Sequence, residues 1–164
     1  MKQIFKMSRV IVATLMLALI QGASPAIAAD DRTPPVTGQM TFFYYNDLPR
    51  AAAFYERLLA IAPEPTPAWV RLYPLTATST LGLVNATGGA LRPGGDKSAM
   101  VTIVVDGAAA VDSWHARVKS LGIPIFQDRK VTKLDDQRSI YSFIFRDPEG
   151  YALEFLTWTK TAKP

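Results

Sequence analysis

The chain has 164 residues, with 18 Lys and Arg against 14 Asp and Glu. Lys2, Lys6 and Arg9 stand in an acid-free stretch over residues 1–29, so beyond it 15 basic residues face 14 acidic ones, a balance that argues against a nucleic-acid-binding surface. At 49% hydrophobic and 20% charged the chain can bury a core, and with no cysteine it can form neither disulfides, thiolate metal sites nor cysteine nucleophiles.

Residues 1–28 read as a secretory signal peptide. Three positive charges precede an apolar run over residues 10–20, and Ala26-Ile27-Ala28 forms a small-x-small cleavage site. The run is much shorter than the ~20 residues of a permanent span, so no membrane anchor is expected. The reading predicts export, to the periplasm in a Gram-negative host and otherwise to the outside. Residues 29–38 form a polar, Pro-rich lead-in, and residues 39–160 are expected to form one domain, within the roughly 100–200 residues usual for one.

The first strand is expected over residues 39–46 (QMTFFYYN). Asp47 then caps a helix with Pro49 in its first turn, and Ala51, Phe54, Leu58 and Ile61 fall at helical spacing. Strand-like segments follow at residues 69–73 and 79–84. The Gly-rich residues 87–98 read as a linker. A second strand–helix pair begins at residue 99: strand 99–105, Asp106 as cap, and a stripe of Val111, Trp114, Val118 and Leu121. Strands at 123–126, 139–145 and 151–157 follow, with a polar loop at 127–138. At an offset of sixty, Met40 meets Met100, Phe43 meets Ile103, Tyr45 meets Val105, Phe54 meets Trp114 and Leu58 meets Val118. This spacing predicts a duplicated unit, with modules at about 39–86 and 99–158.

The turn Asp147-Pro148-Glu149-Gly150-Tyr151 opens a last strand bearing one acid, Glu154. With Asp47-Leu48 and Ala53-Phe54-Tyr55 it resembles the vicinal oxygen chelate superfamily of glyoxalase I, bleomycin resistance proteins and extradiol dioxygenases. The resemblance spans about residues 39–158. It implies an α+β fold of two βαβββ modules whose curled mixed sheets enclose a cup, commonly as a homodimer. It also implies a divalent metal held by two His and a Glu. The matching positions here are Met40, Met100 and, on the last strand, Glu154, with a fourth near Gly82. Thioethers suit Cu(I), and one carboxylate cannot hold Zn, Ni, Mn or Fe(II). The single histidine, His115, is expected as a partly exposed helix residue. No metal cofactor is therefore expected.

Alternation places Phe43 and Tyr45 toward the helix, and Met40, Phe42 and Tyr44 in the cup with Met100, Thr102, Val104 and Glu154. Trp69, Arg71 and Tyr73 are expected there too. Mostly apolar walls with few polar groups describe a small-molecule pocket with stacking faces for an aromatic or amphipathic ligand. The alternative that the resemblance implies is a lyase, isomerase or dioxygenase-like enzyme using Glu154, as general base, with or without an atypical metal.

Overall fold

The computed structural model describes residues 36–88 and 90–160. The signal-peptide reading of residues 1–28 lies outside them. The elements are β1 (Gln39–Tyr45), α1 (Leu48–Leu59), β2 (Val70–Thr76), β3 (Ser79–Asn85), β4 (Met100–Val104), α2 (Gly107–Ser120), β5 (Ile125–Lys133), β6 (Arg138–Arg146) and β7 (Ala152–Lys160).

They form two sheets, ordered β1-β3-β2 and β4-β7-β6-β5. In each, the strand before the helix pairs in parallel with the module's last strand, Phe43 opposite Leu83 in one and Ile103 opposite Phe155 in the other. The remaining pairs are antiparallel. This is the modular α+β architecture expected from the duplication. The modules differ by one strand: the second is βαβββ, the first βαββ. The segment after α1 carries Pro63, Pro65 and Pro67, so every other residue lacks the N–H that a ladder needs. It is tied to β2 through Glu64 N–H, which donates to Leu72 O at 2.8 Å.

Local chemistry explains the helix starts. Asp47 accepts from Arg50 N–H at 3.0 Å, the expected N-cap bond, with Pro49 in the first turn where no N–H is required. Asp106 precedes α2 but its side chain makes no capping bond. Gly107 N–H instead donates to the Thr157 hydroxyl at 3.1 Å, so β7 satisfies the helix end.

Both modules contribute to one hydrophobic core. Phe43, Tyr45, Phe54, Tyr55 and Leu58 join Val111, Val118, Phe143, Phe145 and Phe155 in it. Arg117 ties the helices together, donating to Leu58 O at 2.7 Å and Arg57 O at 2.6 Å. The polar segment expected as a loop over residues 127–138 is mostly strand. β5 continues to Lys133 with irregular register near Gln127, and an edge strand tolerates its charged residues.

Candidate functional site

The helices cover one face of each sheet, and the opposite faces carry most of the residues singled out above. On β1, Phe43 and Tyr45 are buried in the core, while Met40 and Phe42 are 53% and 44% exposed and Tyr44 is partly so. On β4, Met100 and Val104 are 48% and 59% exposed beside the exposed Thr102. On the second sheet the face also carries the exposed Trp158 and, on β5, Phe126 beneath the Arg146 guanidinium at 4.5 Å. Contiguous uncovered apolar side chains make these faces the candidate binding surface.

β2 presents the opposite face from the one expected, and this corrects the placement of Arg71. Gly82 of β3 lies opposite both Phe42 and Leu72. A Cβ on Gly82 would fall 2.4 Å from the Phe42 ring and 3.3 Å from Leu72 Cδ2, so these side chains share the uncovered face. Tyr73 then points to α1, where its hydroxyl reaches Ala52 O and Glu56 Oε1, both at 3.4 Å. Arg71 donates to Val70 O at 2.7 Å and to Pro67 O at 3.3 Å, holding the Pro-rich segment. Trp69 precedes the strand and is exposed. A shift of one residue exchanges the faces of a strand.

Glu154 is the one acid among the face positions named. It is 7% exposed, and its Oε2 accepts from the Thr102 hydroxyl at 2.8 Å across the β4–β7 pair. Arg71 is turned elsewhere, so it does not pair with Glu154. Arg146 donates to Gly150 O at 2.7 Å and stacks over Phe126, and among the described residues it makes no ion pair.

The turn before β7 is built as a clamp. Asp147 is buried and accepts from the Tyr45 hydroxyl at 2.6 Å, the Tyr55 hydroxyl at 3.1 Å, and the N–H groups of Glu149 and Tyr151, both at 2.9 Å. Glu149 accepts from Asn46 N–H and Asp47 N–H at 3.1 and 2.8 Å, just before α1. Tyr151 stacks on Phe43 at 4.3 Å and donates to Tyr44 O. Gly150 takes the positive φ of 96° that favours glycine. Burial first, then the neighbouring phenol and carboxylate, push the Tyr45 phenol far above its ordinary value; burial and Asp147 do the same to Tyr55. The turn thus fixes the second module to the first strand and helix of the first. Its signature was legible as a motif; its role as an acceptor for two buried tyrosines was not.

The family model of the Glyoxalase/Bleomycin resistance protein/Dioxygenase superfamily matches residues 38–155. The chain belongs to this superfamily. Among solved structures, a lactoylglutathione lyase from Agrobacterium tumefaciens is similar at 23% identity and a TM-score of 0.60, covering 76% of this chain and 95% of that one. A glyoxalase/bleomycin resistance protein/dioxygenase from Nocardioides aligns at 18% identity and a TM-score of 0.63, covering 83% and 91%. One from Alicyclobacillus acidocaldarius aligns at 16% and 0.59, covering 74% and 90%. These likenesses concern the fold. No curated protein matches the chain.

Superfamily membership raises the question of a metal, and the residues present do not fit one. Met40 and Met100 offer only thioethers, Gly82 offers no donor, and the Phe42 ring occupies the space where a side chain at position 82 would begin. Glu154 is the one hard donor of the four, and it holds a hydroxyl. Among the described residues, no three His, Asp or Glu side chains gather as a metal-holding group.

His115 is buried, not partly exposed. It is 5% accessible, packs edge-on against Phe143, and places Nε2 2.9 Å from Asp128 Oδ1. Position 115 lies four residues after Val111 and three before Val118, so it belongs to the buried stripe; that spacing was the available signal. It sits on α2, on the covered side of the sheet, apart from Glu154.

Proposed function

We propose that this superfamily member is an exported binding protein that takes a small aromatic or amphipathic molecule on the uncovered face without a metal. The observation that supports it most is the composition of the uncovered faces: Met40 and Phe42 exposed on one sheet, Met100 and Val104 exposed near a buried Glu154 on the other, and no gathering of metal donors among the described residues. Apolar walls with one or two fixed polar groups suit orientation of an organic ligand more than Lewis-acid chemistry. Residues 1–28 support export by their charge and apolar pattern. No helix among the described residues is long and apolar enough to cross a membrane. A second copy of the chain, paired as is common in the superfamily, is the natural wall for a face left open in one subunit.

The test is native mass spectrometry of the mature protein purified from its exported compartment without chelators. An organic adduct retained on a metal-free monomer or dimer is the expected outcome. A stoichiometric metal ion would overturn the reading, as would retention of residues 1–28 on a cytoplasmic product for the export part. Light scattering of the same sample gives the subunit count.

A further inference from the structure

Glu154 raises a problem of charge. It is buried, its Oε2 accepts one hydroxyl hydrogen from Thr102, and no Lys, Arg or His of the described residues lies within ion-pair distance of it. A carboxylate taken from water without a counter-charge is costly, and proteins normally supply a partner. Arg146, a cation on the same face, is committed to Gly150 O and the Phe126 ring. Arg71 is committed to carbonyls before β2. Oε1 makes no hydrogen bond among the described residues, and it is not one of their solvent-sealed unsatisfied atoms. It therefore remains free to accept from a molecule arriving on the face. The neighbouring surface is apolar and soft: Met100 and Val104 flank Thr102 on β4, and thioethers make favourable contacts with aromatic rings.

We propose that Glu154 is the counter-charge for an organic cation, so that the ligand of the uncovered face carries a protonated or quaternary nitrogen on an aromatic or similarly apolar body. This rests on the binding-protein reading above and narrows it. Thr102 holds one carboxylate oxygen and aims the other. The apolar body covers Met100 and Val104, and the nitrogen takes the place of solvent at Oε1. A neutral molecule of the same shape gains the apolar contact but leaves the carboxylate unpaired. An anion adds repulsion.

Three naphthalene probes separate these cases: 2-naphthylmethylamine, 2-naphthylmethanol and 2-naphthoate, titrated into the mature protein at pH 7 by calorimetry or saturation-transfer NMR. The amine is expected to bind at least tenfold more tightly than the alcohol, and the naphthoate most weakly. Glu154→Gln is expected to weaken the amine about tenfold and to leave the alcohol within twofold. Thr102→Val keeps the carboxylate, and with it the preference for the amine, if the Gln variant fails to fold. Equal binding of amine and alcohol would overturn the cation assignment while leaving the binding-protein reading intact. Failure of all three probes to bind would overturn both. Displacement of the amine by one equivalent of zinc or nickel chloride, lost in Glu154→Gln, would make the site a metal site and overturn the proposal.

Discussion

The last strand shows two surfaces of opposite character on one backbone. Leu153 and Phe155 point to the helices and are fully buried, and Phe155 stacks on Trp114 at 4.3 Å with Phe143 and Phe145 alongside. Glu154 and Leu156 point the other way, toward strands whose side chains stand open to solvent at Met100 and Val104. On one face every side chain is filled in by neighbours in the same chain; on the other Glu154 and Leu156 are covered, and exposure begins at the flanking strand. The closed face carries the packing that sets the fold, and substitutions at exposed positions of the other face, such as Met100 and Val104, should cost little in folding.

The sharpest break of this comparison is Phe155→Ala. Truncating a fully buried aromatic leaves a cavity the surroundings fill only partly, with a loss of about 3–5 kcal/mol in urea unfolding. Asp147→Ala comes next. It removes the acceptor of two buried phenols that can still bond each other at 3.0 Å, so one donor is left unpaired, at a cost of about 1–3 kcal/mol by the same measurement.

Those phenols also give an alkaline limit. Their folded values lie above the ordinary value of about 10, so folding favours the protonated form. Their contribution is fully present below pH 10 and is lost as pH rises above it, because the unfolded chain ionises first. Thermal melts followed from pH 8 to 11 should show a steep loss of stability above pH 10. Tyr55→Phe should flatten it. An unchanged slope would show that these phenols do not set the limit.

Smaller effects sharpen the picture of the open face. Gly82→Ala should cost about 1 kcal/mol or less, since the Phe42 ring it meets can swing into open space. In a Phe42→Ala background the same change should become stabilising by about 0.5–1 kcal/mol, because alanine loses less backbone entropy in a strand than glycine. The coupling between the two is the measurement. Met100→Thr, on the open face, should stay within about 0.5 kcal/mol of the parent in stability. A larger loss would mean that the face is closed in solution by a second copy.

Much of this was legible locally. Strand alternation assigned Phe43 and Tyr45 to the core and Met40, Phe42, Tyr44, Met100 and Thr102 to the other side. Asp47 and Pro49 marked the start of α1, and the offset of sixty marked the second module. These signals hold because a period of two or 3.6 residues and a capping bond are settled within one element. Where two equally bulky residues alternate, as Leu72 and Tyr73 do, the period remained but its phase did not. His115 was misjudged as a lone polar residue, although its spacing to Val111 and Val118 put it on the buried stripe.

The sequence by itself determined the α+β duplication, the closing turn and the absence of histidine from the metal positions, since each is a matter of residue type at a fixed spacing. Only the tertiary structure decided that Arg71 is spent on its own loop, that the Phe42 ring fills the space over Gly82, and that Asp147 anchors Tyr45 and Tyr55 from the other module. Each of these joins residues at least 40 positions apart, the separation of Phe42 and Gly82, or depends on the phase of a strand. Such contacts are fixed by the register in which strands meet, and no local pattern of residues specifies that register.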